Sequence, residues 1–225
     1  MALPHNTLQV GLLLYPGVEV LDFAGPFEVF TTASRMALRT APSQPPPFAV
    51  WTVASQPGPV LARAGLQVLA DHGLAAHPVP SLLLVPGGVV GDVLQQPTTL
   101  AWLAAQAPQA ACLASVCTGA FLLAAAGLLP AGTAVTTHWE DADDLQRAHP
   151  ALRVQPQRRY IDNGHTATSA GISAGIDMAL HLVARFASQA LAERTARQMD
   201  VSWTQDVRSK QREGPVAHHA GEACA

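Results

Sequence analysis

Three stretches of this chain are apolar almost without interruption: TLQVGLLL (7–14), the start of SLLLVPGGVVGDVL (81–94), and QAACLASVC (109–117). A strand with one solvated face alternates apolar and polar side chains, whereas one apolar at nearly every position must be covered on both faces. Longer segments with helical character separate these runs, so the chain is constrained to an α/β fold: a mostly parallel sheet with helices on both faces. The composition agrees, since 49% of residues are apolar but only 5% are aromatic, which suits a helix-covered sheet better than an aromatic-rich sandwich.

The remaining elements follow from local signals. GPFEVFTTASRMAL (25–38) reads as a helix with Pro26 near its start, and FAVWTVAS (48–55) as a second strand. GPVLARAGLQVLADHGL (58–74) reads as a short hairpin, and a helix is expected over 97–107. The strand ending at Cys117 runs into the helix TGAFLLAAA, which Gly127 should stop in a left-handed turn with Leu128 and Leu129 behind it. GTAVTTH (132–138) is expected as a fifth strand, WEDADDLQRAHP as an exposed helix, and RRYIDNGHTATSA (158–170) as a hairpin turned at Asn163-Gly164. A single long helix is expected over 171–199, half buried and half surface. Residues 1–204 are read as one domain, and 205–225 as a polar, poorly ordered tail.

Several function classes find no support. The net charge is −3, with 13 Lys and Arg against 16 Asp and Glu and no basic stripe, so nucleic-acid binding lacks an electrostatic basis. No segment approaches the ~20 uninterrupted apolar residues of a membrane span. The N-terminus has no positive region of the signal-peptide kind. The three cysteines, at 112, 117 and 224, form no C-x-x-C or Cys/His cluster, so neither a disulfide framework nor a metal site is expected and the cytoplasm is the expected home. No P-loop, G-x-G-x-x-G or G-x-S-x-G is present.

In a doubly wound sheet, function gathers at the loops leaving the C-terminal strand ends. Cys117 stands there, followed by Thr118 and Gly119. A sharp strand-to-helix turn would lift its thiol into a cleft, where a helix N-terminus favours the thiolate and lowers its pKa. Spacing is equally compatible with a packed core cysteine, as expected for Cys112. Gly119 is the small residue a tight turn needs. Gly87 and Gly88 end a neighbouring strand and could offer backbone N–H groups to an oxyanion, or simply make a turn. Asp22, between Leu21 and Phe23, could cap a helix, or be held protonated by its apolar setting as a general acid. His138, at an expected strand end, could tune a thiolate or cap the next turn. Glu28 and His165 read as solvated and His181 as a satisfied core residue, while the terminal His5, His218 and His219 carry no signal.

Together, LLYPGVEVLDFAGPFEVF, LLLVPGG, SVCTGAFLLAAAGLL, AVTTHW and TSAGISAGID occur in an order and spacing that resembles the DJ-1/PfpI superfamily, with its class I glutamine-amidotransferase-like, flavodoxin-type fold. The resemblance runs from about residue 8 to 187 and is nearest to the isonitrile hydratase branch and to the amidase-like domain of AraC-type regulators. Forty-eight residues follow AGID, fewer than the regulators' DNA-binding domain needs, so a stand-alone member is expected. The resemblance implies Cys117 as nucleophile, Asp22 as its acidic partner and Thr118 as a neighbour acting in hydration, with His138 close to the cysteine. Peptidases of the superfamily carry His directly after the nucleophile; Thr118 in that place argues against peptidase chemistry. The hydratase branch has a glycine-rich loop where this chain has Thr168-Ser169-Ala170-Gly171, a loop expected to border the pocket. Implied overall is a cofactor-free hydratase acting on an isonitrile or similar small molecule, with α-oxoaldehyde chemistry or ligand and redox sensing as alternatives. A homodimer using the face around residues 17–30 is expected, with no metal, nucleic-acid or membrane partner.

Overall fold

A computed structural model describes residues 7–205, so the expected disorder of 205–225 falls almost wholly outside the described residues, as do Cys224, His5, His218 and His219. In chain order the elements are β1 (Leu8–Leu13), α1 (Val20–Thr40), β2 (Phe48–Ala54), β3 (Gly58–Leu61), β4 (Gln67–Ala70), β5 (His72–Gly73) and β6 (Leu82–Val85). They continue with α2 (Gly91–Leu94), α3 (Pro97–Gln106), β7 (Cys112–Val116), α4 (Gly119–Ala125), β8 (Ala134–Val135), α5 (Ala142–Ala148), β9 (Arg153–Val154), β10 (Tyr160–Asp162), β11 (Thr166–Ser169), α6 (Ala174–Phe186) and α7 (Gln189–Gln198).

Seven strands form the central sheet in the order β10-β11-β7-β6-β1-β2-β5, parallel throughout except for β10, which returns antiparallel to β11. The continuous apolar runs lie at its middle: β6 and β7 are buried at every position, with Leu83 and Leu113 fully inaccessible. Helices α1, α6 and α7 pack on one another against the sheet, and α4 packs on β6 and β7 with α2 and α3 beside it. The chain order reverses between β1 and β6, because β1 leads outward to β2 and the chain then returns to the other side of β1. That switch point opens a crevice at the carboxyl ends of these strands.

Several local expectations are met in detail. Gly127 (φ 72°) ends α4 with the paired contacts of a Schellman turn, Leu128 N–H to the Leu123 carbonyl at 2.9 Å and Gly127 N–H to the Ala124 carbonyl at 3.0 Å. β10 and β11 form the hairpin turned at Asn163-Gly164.

Others are corrected. Helix α1 begins at Val20 rather than 25, placing Asp22 in its first turn and Pro26 inside the helix. Pro26 forgoes the hydrogen bond its own N–H would have made and its ring crowds the Asp22 carbonyl, yet the helix continues to Thr40. The expected fifth strand is only Ala134–Val135 and pairs with β9, outside the central sheet; β11 takes the place beside β7. The single helix expected over 171–199 is two, because Ser188 adopts extended backbone and its hydroxyl accepts the Leu191 N–H at 3.2 Å to start α7. Asp177 of the AGID segment is 4% exposed and takes the Arg159 guanidinium (Nε at 2.6 Å) and the Thr204 N–H at 2.8 Å, which fastens the chain beyond α7 onto α6.

Candidate active site

The crevice brings Cys117 from the end of β7, Asp22 from the first turn of α1, Gly87 and Gly88 from the turn after β6, and Thr118 into one cluster. Cys117 has φ 57°, in the left-handed region, which costs a non-glycine residue of order 1–3 kcal/mol and persists only where the surroundings impose it. They do: its N–H donates to the Ser169 carbonyl at 3.0 Å, and the Thr137 hydroxyl donates to its carbonyl at 2.8 Å. The turn is tight enough that a Cβ on Gly119 would stand 2.1 Å from the Val85 carbonyl oxygen, so no side chain fits there. The strained turn directs the thiol into the crevice, where it lines the cavity described below.

Asp22 is fully inaccessible. Its Oδ2 accepts the Gly87 N–H at 3.1 Å, while Oδ1 is buried without a hydrogen-bond partner. Burial drives its pKa up to about 7 against the pull of the Gly87 N–H; nearby Glu19 adds to the rise, while the Cys117 thiol and Arg63 oppose it. Asp22 therefore does not cap its helix with the side chain; it reaches across to β6's turn.

Cys117 departs from expectation in one respect. Its pKa is pushed up to about 12 by burial and by the charges of Asp22 and Asp141, which outweigh the Thr118 N–H. Burial and the neighbouring carboxylates, rather than a helix dipole, set this thiol's acidity, and α4 is only seven residues long. Cys112 is completely buried and raised to about 12 by burial, as a core cysteine should be.

The glycine turn is fully engaged. Gly87 N–H is spent on Asp22, and Gly88 N–H donates to the Thr118 hydroxyl at 2.9 Å, which in turn donates to the Gly88 carbonyl at 3.0 Å. Neither N–H is available to an oxyanion, so the glycines act by letting three elements approach: a Cβ on Gly87 would lie 2.6 Å from the Thr118 nitrogen and 2.8 Å from Asp22 Oδ2.

Above the sulfur lies a cavity of about 250 Å³, lined by Cys117, Thr118, Gly88, Val89, His138 and Ile172, with Glu19, Arg63, Glu140 and Asp141 contributing charge. His138 Nδ1 faces Asp141 at 3.4 Å, and the exposed Trp139 indole lies beside its ring. Sequence reasoning missed the four charged lining residues, and Val89 and Ile172 besides. Arg63 enters from the turn between β3 and β4, where it pairs with Glu19 at 3.3 Å. Glu140 and Asp141 follow His138 directly, so their nearness to it was the available signal; nothing local marked Arg63. Of the Thr168–Gly171 segment, Thr168 and Ser169 belong to β11 and none of the four residues lines the cavity; Gly171 lies against the cysteine instead, where a Cβ would stand 3.1 Å from the Cys117 sulfur. His181 pairs with Asp162 at 2.7 Å, and Glu28 with Arg35, both away from this site. Among the described residues no three His, Cys, Asp or Glu side chains converge as a metal site, and no helix is long and apolar enough to cross a membrane.

Comparison with known proteins agrees with this architecture. The DJ-1/PfpI family model matches residues 9–185, and the chain belongs to that family. It is 38% identical over 177 residues to isonitrile hydratase of Pseudomonas putida, covering 78% of this chain and 70% of that protein. It is 32% identical over 186 residues to the HTH-type transcriptional regulator CdhR of Pseudomonas aeruginosa, covering 83% of this chain but only 53% of the regulator's length. Among solved structures, a ThiJ/PfpI family protein from Pseudomonas syringae superimposes with a TM-score of 0.76 at 28% identity, over 91% of this chain and 79% of that one.

Proposed function

We propose that this DJ-1/PfpI family member is a cysteine-dependent hydratase that converts a small isonitrile to an N-substituted formamide. The observation that carries the reading is the buried Asp22–Cys117 pair, in which the Asp22 carboxyl, raised to about 7, can stand beside the thiol either ionised as a proton acceptor or protonated as a donor near neutral pH. The likeness to isonitrile hydratase supports the choice of substrate.

In this mechanism Asp22 takes the thiol proton, and the Cys117 sulfur attacks the terminal isonitrile carbon. Asp22 returns the proton to that carbon, giving a thioimidate R–N=CH–S–Cys. The ionised Asp22 then removes a proton from water as the water oxygen adds to the same carbon. Proton transfer to nitrogen and cleavage of the C–S bond release R–NH–CHO and the free thiol, so the sum is addition of one water. Thr118 supports the water step from a limited position: its proton is committed to Gly88, which leaves one hydroxyl lone pair to accept from water. A cavity of about 250 Å³ suits a small substituent. The exposed apolar side chains Leu21, Val89 and Ile172 offer a face on which a second copy of the chain could close the mouth, which sedimentation equilibrium would detect.

The second reading is ligand sensing, favoured by the likeness to CdhR. Wild type, Cys117→Ala and Asp22→Asn assayed against alkyl and aryl isonitriles and α-oxoaldehydes separate the possibilities. Formamide production lost in both variants supports the hydratase. Oxoaldehyde turnover alone moves the assignment to that chemistry, and saturable binding without turnover moves it to sensing.

A further inference from the structure

The Pro86–Gly87 peptide unit is held from both ends by buried side chains. Its N–H donates to Asp22 Oδ2 at 3.1 Å, and its carbonyl accepts the Tyr15 hydroxyl at 2.9 Å. Tyr15 is 3% exposed and stands two residues beyond β1, and Asp22 follows in the first turn of α1. The peptide is planar and rigid, so rotating its carbonyl also rotates its N–H. The next peptide is separately pinned, by Glu19 N–H on the Gly87 carbonyl at 2.9 Å and by Gly88 N–H on Thr118. The remaining freedom of this turn is therefore rotation of the 86–87 unit, and Tyr15 opposes it.

We infer that Tyr15 is a positioning residue for the proton-handling group: through the Pro86–Gly87 peptide, its hydroxyl sets the hydrogen bond that Asp22 receives and thereby the proton balance of the Asp22–Cys117 pair. This role rests on the proposed part of Asp22 in hydration, but the geometry it requires is independent of substrate. A hydrogen bond from Gly87 N–H favours the carboxylate form and restrains the upward shift that burial imposes. Tyr15 stays a donor, because burial and the charges of Asp22, Cys117 and Glu19 hold its own ionisation well above the ordinary tyrosine range. The charged and titratable groups facing Asp22 are Glu19 and Arg63 from the rim, and Cys117 and Tyr15 inside. Removing the Tyr15 hydroxyl alters none of the others directly. A merely structural tyrosine would affect thermal stability and leave the carboxyl's titration where it was.

The test is a ¹³C-carboxyl NMR titration of Asp-labelled protein, wild type and Tyr15→Phe. The expected result is an Asp22 midpoint raised by about one pH unit in Tyr15→Phe, roughly a tenfold change in the ratio of ionised to protonated carboxyl, with the distant Asp162 unmoved. In the wild type the Tyr15 hydroxyl proton and the Gly87 amide proton should shift together with the Asp22 midpoint, a reading that holds even if the variant folds poorly. An unchanged Asp22 midpoint in folded Tyr15→Phe, or a Tyr15 hydroxyl proton indifferent to Asp22 ionisation, overturns the assignment. If the shift appears but no isonitrile is turned over, the proposed activity fails and the positioning role stands. If turnover occurs, the acidic limb of kcat/KM should move upward with the same midpoint.

Discussion

The backbone of Gly171 closes over the sulfur of Cys117: a Cβ at position 171 would stand 3.1 Å from Sγ and 2.5 Å from the His138 ring carbon Cδ2. This contact joins the loop after β11 to the strained turn after β7 and to the His138 segment. Gly171→Ala should therefore displace His138 or the loop. The expected outcome is a fall of about tenfold or more in kcat/KM, following the sensitivity of such sites to small misplacements, with the melting temperature nearly unchanged. Steady-state kinetics beside thermal melts would check it.

The Asp22 carboxyl sets a stability cost that runs opposite to the usual acid denaturation. Its folded pKa is about 7, above the unfolded value, so the native state binds the extra proton between roughly pH 4 and pH 7. Wild-type stability from this group is full below pH 4 and declines as pH rises toward 7, by about 2–4 kcal/mol. Asp22→Asn cannot titrate there. Denaturant melts should show the variant gaining on wild type from pH 4 to pH 8, while losing activity.

Asp162 behaves in the opposite sense. Burial alone would raise its pKa, but the hydrogen bonds from His181 and the Gly164 N–H, with Arg185 beside them, bring it below the ordinary value. The stability it contributes is present above pH ~4 and lost as pH falls through its lowered folded pKa. Asp162→Asn should flatten the acid limb of the stability curve and loosen the β10–β11 hairpin. Urea melts from pH 6 down to pH 2, with hydrogen exchange over 158–170, would measure both.

The mouth of the cavity carries Glu19, Glu140 and Asp141 against Arg63, and Arg63 is already paired with Glu19. A substrate bearing a carboxylate should react about tenfold less efficiently than a neutral one of the same size, and the gap should narrow as salt screens the charges. Competition assays at low and high ionic strength would read this directly.

Much of the scaffold could be read from the chain because its signals are local. The uninterrupted apolar runs placed β1, β6 and β7 at the sheet's centre, and Gly127 marked a helix stop that forms as expected. The cluster of Asp22, Gly87 and Cys117 was found through strand ends and motif order. What escaped depends on contacts distant in sequence. Helix α1 starts at Val20, six residues before Pro26, β8 pairs with β9 instead of the main sheet, and Arg63 reaches the site through a hairpin connection. The acidity of Cys117 was misjudged for the same reason: helix position argued for a lowered pKa, whereas burial among carboxylates raises it.

The proposed isonitrile hydration runs through the Cys117 sulfur. Its most direct test follows N-substituted formamide from a small alkyl isonitrile by mass spectrometry, with wild type and Cys117→Ala at matched concentration. Formamide is expected from wild type only, accompanied by a transient adduct on Cys117 heavier by the mass of one isonitrile. Undiminished formamide production by Cys117→Ala would contradict it.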